Sequence, residues 1–228
     1  ADLRGDLIFT IDGEDAKDLD DAISVAKTEN GFCLGVHIAD VSHYVKFNSN
    51  LDMEARERGT SVYIADRVIP MLPTKISNGM CSLNQGEDRL AFSVFINLDT
   101  AGNVLNYELK KSVINSKVRG VYSEINKILE GAASKKLQTK YKDVLNALKT
   151  AKELSDLLEK NAQKRGKLDL ESVESKFTLD ENGICVGVEA RERGQSEKII
   201  ENFMVLANEC TANFAIKNNL PFIYRVHE

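Results

Sequence analysis

Within ten residues near the start of the chain stand five aspartates and one glutamate: Asp12, Glu14, Asp15, Asp18, Asp20 and Asp21. Like charges at this density repel, so each carboxyl resists ionisation unless something neutralises it. Lys17 is the single cation inside the run, which makes a divalent metal ion the natural counter-charge. A ligand set of oxygens without His or Cys suits Mg²⁺, Mn²⁺ or Ca²⁺ rather than zinc. Two such ions about 3.5–4 Å apart can activate a water and stabilise the leaving oxygen of a phosphodiester.

Three simpler explanations compete. A solvated acidic loop is at odds with the neighbours Phe9, Ile11, Leu19, Ala22 and Ile23, which draw the run towards the core, where unpaired carboxylates are costly. A calcium loop of the EF-hand type needs Gly at its sixth position and Glu at its twelfth. Counted from Asp18, the twelfth is Glu29 but the sixth is Ile23; counted from Asp12, the sixth is Lys17, so both registers fail. Turn capping accounts for one or two aspartates, not the set. If residues 18–21 are extended, Asp18 and Asp20 share a face and Asp21 points away. The loop must then bend for these three to meet Asp12. His37, His43 and His227 are scattered and read as structural.

Such a cluster needs rigid elements on either side. Leu7–Ile11 and Ala22–Ala26 read as strands flanking the acidic loop, and Asn30-Gly31 turns the chain into a third strand, Phe32–Ile38. Leu51–Arg58 reads as a short helix ended by Gly59, and Ile69-Pro70-Met71-Leu72-Pro73 as a stiff extended segment. Ala91–Leu98 and Val104–Ile114 form a hairpin about residues 99–103. Helical spacing follows over Val121–Leu129 and from Leu145 to a stop at Gly166. A further hairpin turns at Asp180-Glu181-Asn182-Gly183, and Ser196 caps a last helix, Glu197–Lys217. There is no repeat, low-complexity tract or obvious linker, so the sequence predicts one α+β domain, a mixed β-sheet with hairpins and packed helices.

The 228 residues suffice to bury a substantial core, and the 43% hydrophobic, 29% charged composition is that of a soluble globular protein. No stretch is apolar enough for a transmembrane helix, and residues 1–6 are not the start of a signal peptide. Cys33, Cys81, Cys185 and Cys210 are far apart in sequence and read as reduced, packed thiols. The net charge of −5 hides an asymmetry: residues 1–100 carry −8, residues 101–170 carry +7 and the remainder −4. The basic stretch could run beside a phosphate backbone; alternatively Lys135, Lys136, Lys140 and Lys142 lie on solvated helix faces.

The order of several motifs is more specific than the cluster. Thr10-Ile11-Asp12 and Ala16-Lys17-Asp18-Leu19-Asp20-Asp21-Ala22 precede Val36-His37-Ile38-Ala39-Asp40-Val41-Ser42, Arg58-Gly59-Thr60-Ser61-Val62-Tyr63, Ile69–Pro73 and Cys81-Ser82-Leu83. Ile200-Glu201-Asn202-Phe203-Met204-Val205-Leu206-Ala207-Asn208 and Tyr224-Arg225-Val226-His227-Glu228 come last. Together these blocks resemble the catalytic RNB domain of the ribonuclease II and ribonuclease R family, over residues 1–228.

The resemblance implies a Mg²⁺-dependent (Mn²⁺ as substitute), processive 3′→5′ exoribonuclease that hydrolyses single-stranded RNA to nucleoside 5′-monophosphates in the cytoplasm. The family's four active-site aspartates fall on Asp12, Asp18, Asp20 and Asp21. Asp12 and Asp21 are then direct metal ligands, Asp20 the residue most needed for the chemical step, and Asp18 the support of a second metal or the water. Glu14 and Asp15 are left as solvent-facing. Tyr63 and Tyr122 match aromatic RNA contacts and Glu201 an acidic one, while Asn202 departs from a second acidic residue often found there. Family members carry β-barrel RNA-binding domains on either side, and their RNB domain continues past the position of His227 towards an arginine near the scissile phosphate. The resemblance therefore implies a C-terminally incomplete fragment with weak activity or none. A catalytically silent RNA-binding or regulatory domain of the same fold is the alternative reading, and a calcium-stabilised module a weaker one.

Overall fold

Near-continuous burial along β1 (Phe9–Asp12) and β3 (Gly31–Ala39) builds a sheet covered on both faces. The chain folds into β1 (Phe9–Asp12), β2 (Asp21–Thr28), β3 (Gly31–Ala39), α1 (Val41–Tyr44), α2 (Asn50–Arg58), β4 (Val62–Tyr63) and β5 (Val68–Ile69). A π-helical turn (Lys75–Met80) leads into β6 (Asp88–Asp99), β7 (Val104–Asn115), β8 (Val118–Val121), α3 (Tyr122–Leu129), α4 (Lys135–Lys140) and α5 (Leu145–Lys164). The hairpin β9 (Glu174–Leu179) and β10 (Cys185–Arg191) precedes α6 (Gln195–Lys217). This computed structural model describes residues 1–168, 174–181, 183–191 and 193–226, so Asn182 of the expected turn and His227 lie outside the described residues.

Six strands form one sheet in the order β7-β6-β3-β2-β1-β8. All neighbours are antiparallel except β1 and β8, which run parallel with Asp12 beside Val121. That pairing is close: a Cβ on Gly120 would stand 2.7 Å from the Thr10 carbonyl oxygen, so β8 needs glycine there. One face of the sheet (Phe9, Ile11, Ile23, Leu34, Val36, Ile96) packs on Ile125, Leu148, Leu154 and Phe203 of α3, α5 and α6. Each fully buried side chain of this size is worth about 1.5–3 kcal/mol. The other face (Ile8, Ala22, Ala39, Ala91, Ile114) is covered by Leu19 and by Ile76, Cys81 and Leu83, so residues 40–83 form a lid of short helices, a small hairpin and connecting loops.

Most expected elements are present with shifted ends. The first strand begins at Phe9 rather than Leu7 and runs through Asp12. Gly59, at φ +71°, ends α2 as expected. The segment after Ile69 bends at Met71-Leu72 and enters the π-helical turn instead of staying extended. Ser196 does not cap α6. The cap is Gly194, whose N–H donates to Glu197 Oε2 at 3.1 Å. Ser196 is buried within the first turn, its hydroxyl donating to the Tyr122 carbonyl at 3.2 Å, while its N–H donates to Asn126 Oδ1 at 2.8 Å. Contacts with α3 have taken over the role that local capping chemistry predicts for Ser196. Among the described residues no helix is long and apolar enough to cross a membrane, and all four cysteines are free thiols.

Candidate active site

The strands place the aspartates at one end of the sheet. Asp12 closes β1 and Asp21 opens β2, so these two stand on strands, and only residues 13–20 form the loop. The antiparallel register pairs Phe9 with Ile23 and so sets the Asp12 end of β1 beside the Asp21 start of β2. Leu19 is only 2% exposed and anchors the loop in the lid-side core. Its neighbours Asp18 and Asp20 turn outwards, half-buried and exposed respectively, as alternation requires.

Backbone bonds hold the loop along its length. The Ser82 hydroxyl donates to the Lys17 carbonyl at 2.9 Å and accepts from the Leu19 N–H at 3.0 Å. Leu83 N–H donates to the Leu19 carbonyl at 2.8 Å, and Ala39 N–H to that of Asp20 at 2.9 Å. Earlier in the loop, Arg119 Nη2 donates to the carbonyls of Glu14 (2.9 Å) and Ala16 (2.8 Å). Arg119 reaches them because β8 lies parallel to β1, opposite Thr10. Sequence reasoning missed both holders. Ser82 lay in a motif already singled out, without a role; Arg119 lay in a strand whose pairing is non-local.

The carboxylates feel one another. Asp20 is exposed as a residue, but partial desolvation of its carboxyl, then the charges of Asp18 and Asp12, raises its pKa. Burial, then Asp12 and Asp20, pushes Asp21 up to about 6. Asp12 Oδ1 accepts from the Gly13 N–H at 2.7 Å. Asp21 Oδ2, in contrast, is buried with no hydrogen-bond partner, an arrangement that costs free energy unless a cation meets it. As the side chains stand, no three His, Cys, Asp or Glu groups among the described residues close round one point tightly enough to grip an ion. Carboxylates without a counter-ion repel and hold apart. The orphaned oxygen and the all-carboxylate donor set fit a hard divalent cation.

Of the other expected contacts, Tyr63 stands on the small β4–β5 hairpin, 70% exposed. Partial burial of its hydroxyl, then the charges of Asp18, Asp20 and Asp12, raises its pKa, with Asp18 also its hydrogen-bond partner. The structure thus brings Tyr63 to the aspartates. Tyr122 opens α3 directly after Val121, the partner of Asp12, and is half-buried against the helical core. Glu201 is exposed on α6 and faces Arg193 at 3.9 Å; no contact joins it to the aspartates among the described residues. Asn202 turns to α5, donating to Ser155 Oγ at 2.9 Å. Glu14 and Asp15 are exposed, as expected. A cleft of about 810 Å³ lies beside the loop, between Lys17, Ile64, Arg67, Pro70 and Asn78, and touches the four aspartates only at Asp18.

A family model described as the RNB domain matches residues 1–228. The chain belongs to the RNB domain family. Over its whole length the RNB domain is 54% identical to Ribonuclease R of Thermotoga maritima, of which it covers 32%, and 39% identical to that of Escherichia coli, of which it covers 28%. It superposes with a TM-score of 0.94 on Mycoplasma genitalium RNase R solved in complex with ribose-methylated single-stranded RNA, at 38% identity, covering all of this chain and 35% of that one. The RNB domain thus spans about a third of the length of these relatives.

Proposed function

We propose that the chain is the catalytic unit of a hydrolytic, processive 3′→5′ exoribonuclease that releases nucleoside 5′-monophosphates from single-stranded RNA in the cytoplasm, with Mg²⁺ as cofactor and flanking RNA-binding barrels as partners. The observation that carries this reading is the meeting of Asp12, Asp18, Asp20 and Asp21 at one sheet end, where Asp20 and Asp21 feel the others' charge. The relatives named Ribonuclease R support it.

Asp12, Asp18, Asp20 and Asp21 would hold the metal, and Asp21 brings an oxygen with no other partner. Bound divalent cations supply charge neutralisation at the phosphate and a water of lowered pKa. The chain's own residues do the rest. The loop holds Asp18 and Asp20 on its outward side, where an RNA 3′ end can approach. Tyr63 offers an exposed ring beside Asp18. Stacking on such a ring is worth about 1–3 kcal/mol per base and tolerates any sequence, as a degrading enzyme requires.

The alternative, a silent RNA-binding domain, keeps one observation in its favour. Yeast Ssd1, described as a pseudonuclease, shares the fold at a TM-score of 0.68 and 19% identity. Asp20→Asn in the intact protein decides between the two. The proposal expects RNA binding to survive while Mg²⁺-dependent release of mononucleotides collapses. Hydrolysis that persists in the variant removes Asp20 from the chemistry; none in the unaltered protein favours the silent domain.

A further inference from the structure

We propose that Ser82 is a positioning residue for the aspartate site. Its hydroxyl, by bridging the backbone on both sides of Asp18, sets where that carboxylate stands relative to the other three. This rests on the reading of the aspartates as a metal-dependent hydrolytic centre.

The argument begins with the hydrogen inventory of a hydroxyl, one donor and two acceptor lone pairs. Ser82 directs its hydrogen to the Lys17 carbonyl at 2.9 Å, nearer than Asn84 Oδ1 at 3.3 Å, and takes the Leu19 N–H at 3.0 Å on a lone pair. Lys17 and Leu19 are the two residues flanking Asp18. The bridge is dry, because Ser82 is 0% exposed, so water cannot replace the lost bonds without opening the lid-side core. Ser82 is itself immobilised: its carbonyl accepts from Arg89 Nε at 2.9 Å, tying it to β6. Leu83, the next residue, takes the Leu19 carbonyl at 2.8 Å. Sliding Asp18 along the chain, or rotating its peptide planes, therefore breaks buried hydrogen bonds at once.

Arg119 holds the first half of the loop in the same way, through Glu14 and Ala16. Asp12 and Asp21 need no such clamp, being on strands. Asp20 is held by the Ala39 N–H of β3, so of the four Asp18 alone stands clear of the ladder, and Ser82 supplies its substitute. A catalytic group displaced by a fraction of an ångström loses much of its effect, and residues that orient metal ligands typically govern about 10–100-fold of metal affinity or activity.

The test uses Ser82→Ala in the intact protein, with three readouts. Amide hydrogen exchange at Leu19 is expected to speed up at least ~10-fold, Mn²⁺ affinity measured by electron paramagnetic resonance without RNA to weaken about 10-fold, and kcat on single-stranded RNA to fall about 10–100-fold with KM nearly unchanged. Ser82→Thr, which keeps the hydroxyl, should restore Mn²⁺ affinity. If Ser82→Ala does not fold, Ser82→Cys, near in size and a weak donor, is read on the same quantities. Faster exchange with unaltered Mn²⁺ affinity and kcat would make the bridge merely structural and overturn the proposal, as would unaltered exchange. Failure of the exoribonuclease reading is separate: it appears in the unaltered protein as no mononucleotide release, while exchange and Mn²⁺ binding still report on the bridge.

Discussion

His37 Nδ1 lies 2.7 Å from the hydroxyl of Ser93 across the β3–β6 pair, and both residues are 0% exposed. The Ser93 hydroxyl stands 2.6 Å from that of Ser112, which reaches the Ala91 carbonyl at 3.2 Å, and Ser24 lies 3.1 Å from His37 Nε2. If Ser112 donates to Ala91 and Ser93 to Ser112, Ser93 accepts from His37 and the imidazole proton sits on Nδ1, with Ser24 donating to Nε2; this is the expected arrangement. In that arrangement both nitrogens of the neutral ring are satisfied.

Burial lowers the His37 pKa to about 4. A folded value below the unfolded one of ~6.5 means that the unfolded chain binds the proton first, so stability falls as pH drops from 6.5 towards 4, by about 3 kcal/mol in all. Imidazole nitrogen NMR should find the neutral Nδ1–H form down to about pH 5. Ser93→Ala, which strands a buried N–H, should cost about 1–3 kcal/mol in a denaturant titration. An Nε2–H ring, or one titrating near 6.5, would contradict this assignment.

Asp21 works in the opposite direction. Its folded pKa of about 6 exceeds the unfolded value of 3.8, so the folded protein binds the proton first and loses stability as pH rises from about 4 through 6. At neutral pH the metal-free Asp21→Asn protein should therefore be more stable than the unaltered one by about 2–3 kcal/mol, a gain that fades below pH 4. Metal-dependent hydrolysis should disappear in the same variant. Matched thermal melts at pH 7 and pH 4 measure this, and equal melting temperatures at pH 7 would show that the carboxylate crowd carries no cost. Because His37 opposes Asp21 and Asp20 as pH rises above 4, the unaltered protein should show a weaker pH dependence than either trend alone.

Tyr63 separates binding from folding. It is 70% exposed on a two-residue strand, so Tyr63→Ala should leave the melting temperature nearly unchanged. RNA affinity should weaken by about 5- to 150-fold, the equivalent of the 1–3 kcal/mol of one stacked base. Tyr63→Phe should bind like the unaltered protein, since the ring is retained. Fluorescence anisotropy with a short oligonucleotide reads both; undiminished binding by the alanine variant would remove Tyr63 from the interface.

Local signals carried much of this architecture. The Asp99–Asn103 turn, the Gly59 stop and the leucine spacing of α5 each depend on neighbours in sequence, and each was legible. The acidic run was legible for the same reason, because six carboxylates in ten residues declare a problem that needs a solution. What escaped depends on distant partners. β8 lies largely in the gap between the expected strand Val104–Ile114 and the expected helix Val121–Leu129, and its parallel pairing with β1 is what makes it a strand. Ser196 has capping chemistry, but Asn126 and Tyr122 of α3 claim it. Ser82 and Arg119 touch the loop only through backbone carbonyls and an amide, contacts that leave no mark in residue type at the positions they hold.

The parallel neighbour of β1 also orders events during synthesis. The strand carrying Asp12 can pair with β2 as soon as residues 21–28 emerge, yet its other edge stays bare until residues 118–121 follow, about ninety positions later. Joining ends so far apart is slow. The meander β2-β3-β6-β7 can settle first and the strand end that carries the aspartates last, so a nascent chain brings its carboxylates together only after most of its sheet exists.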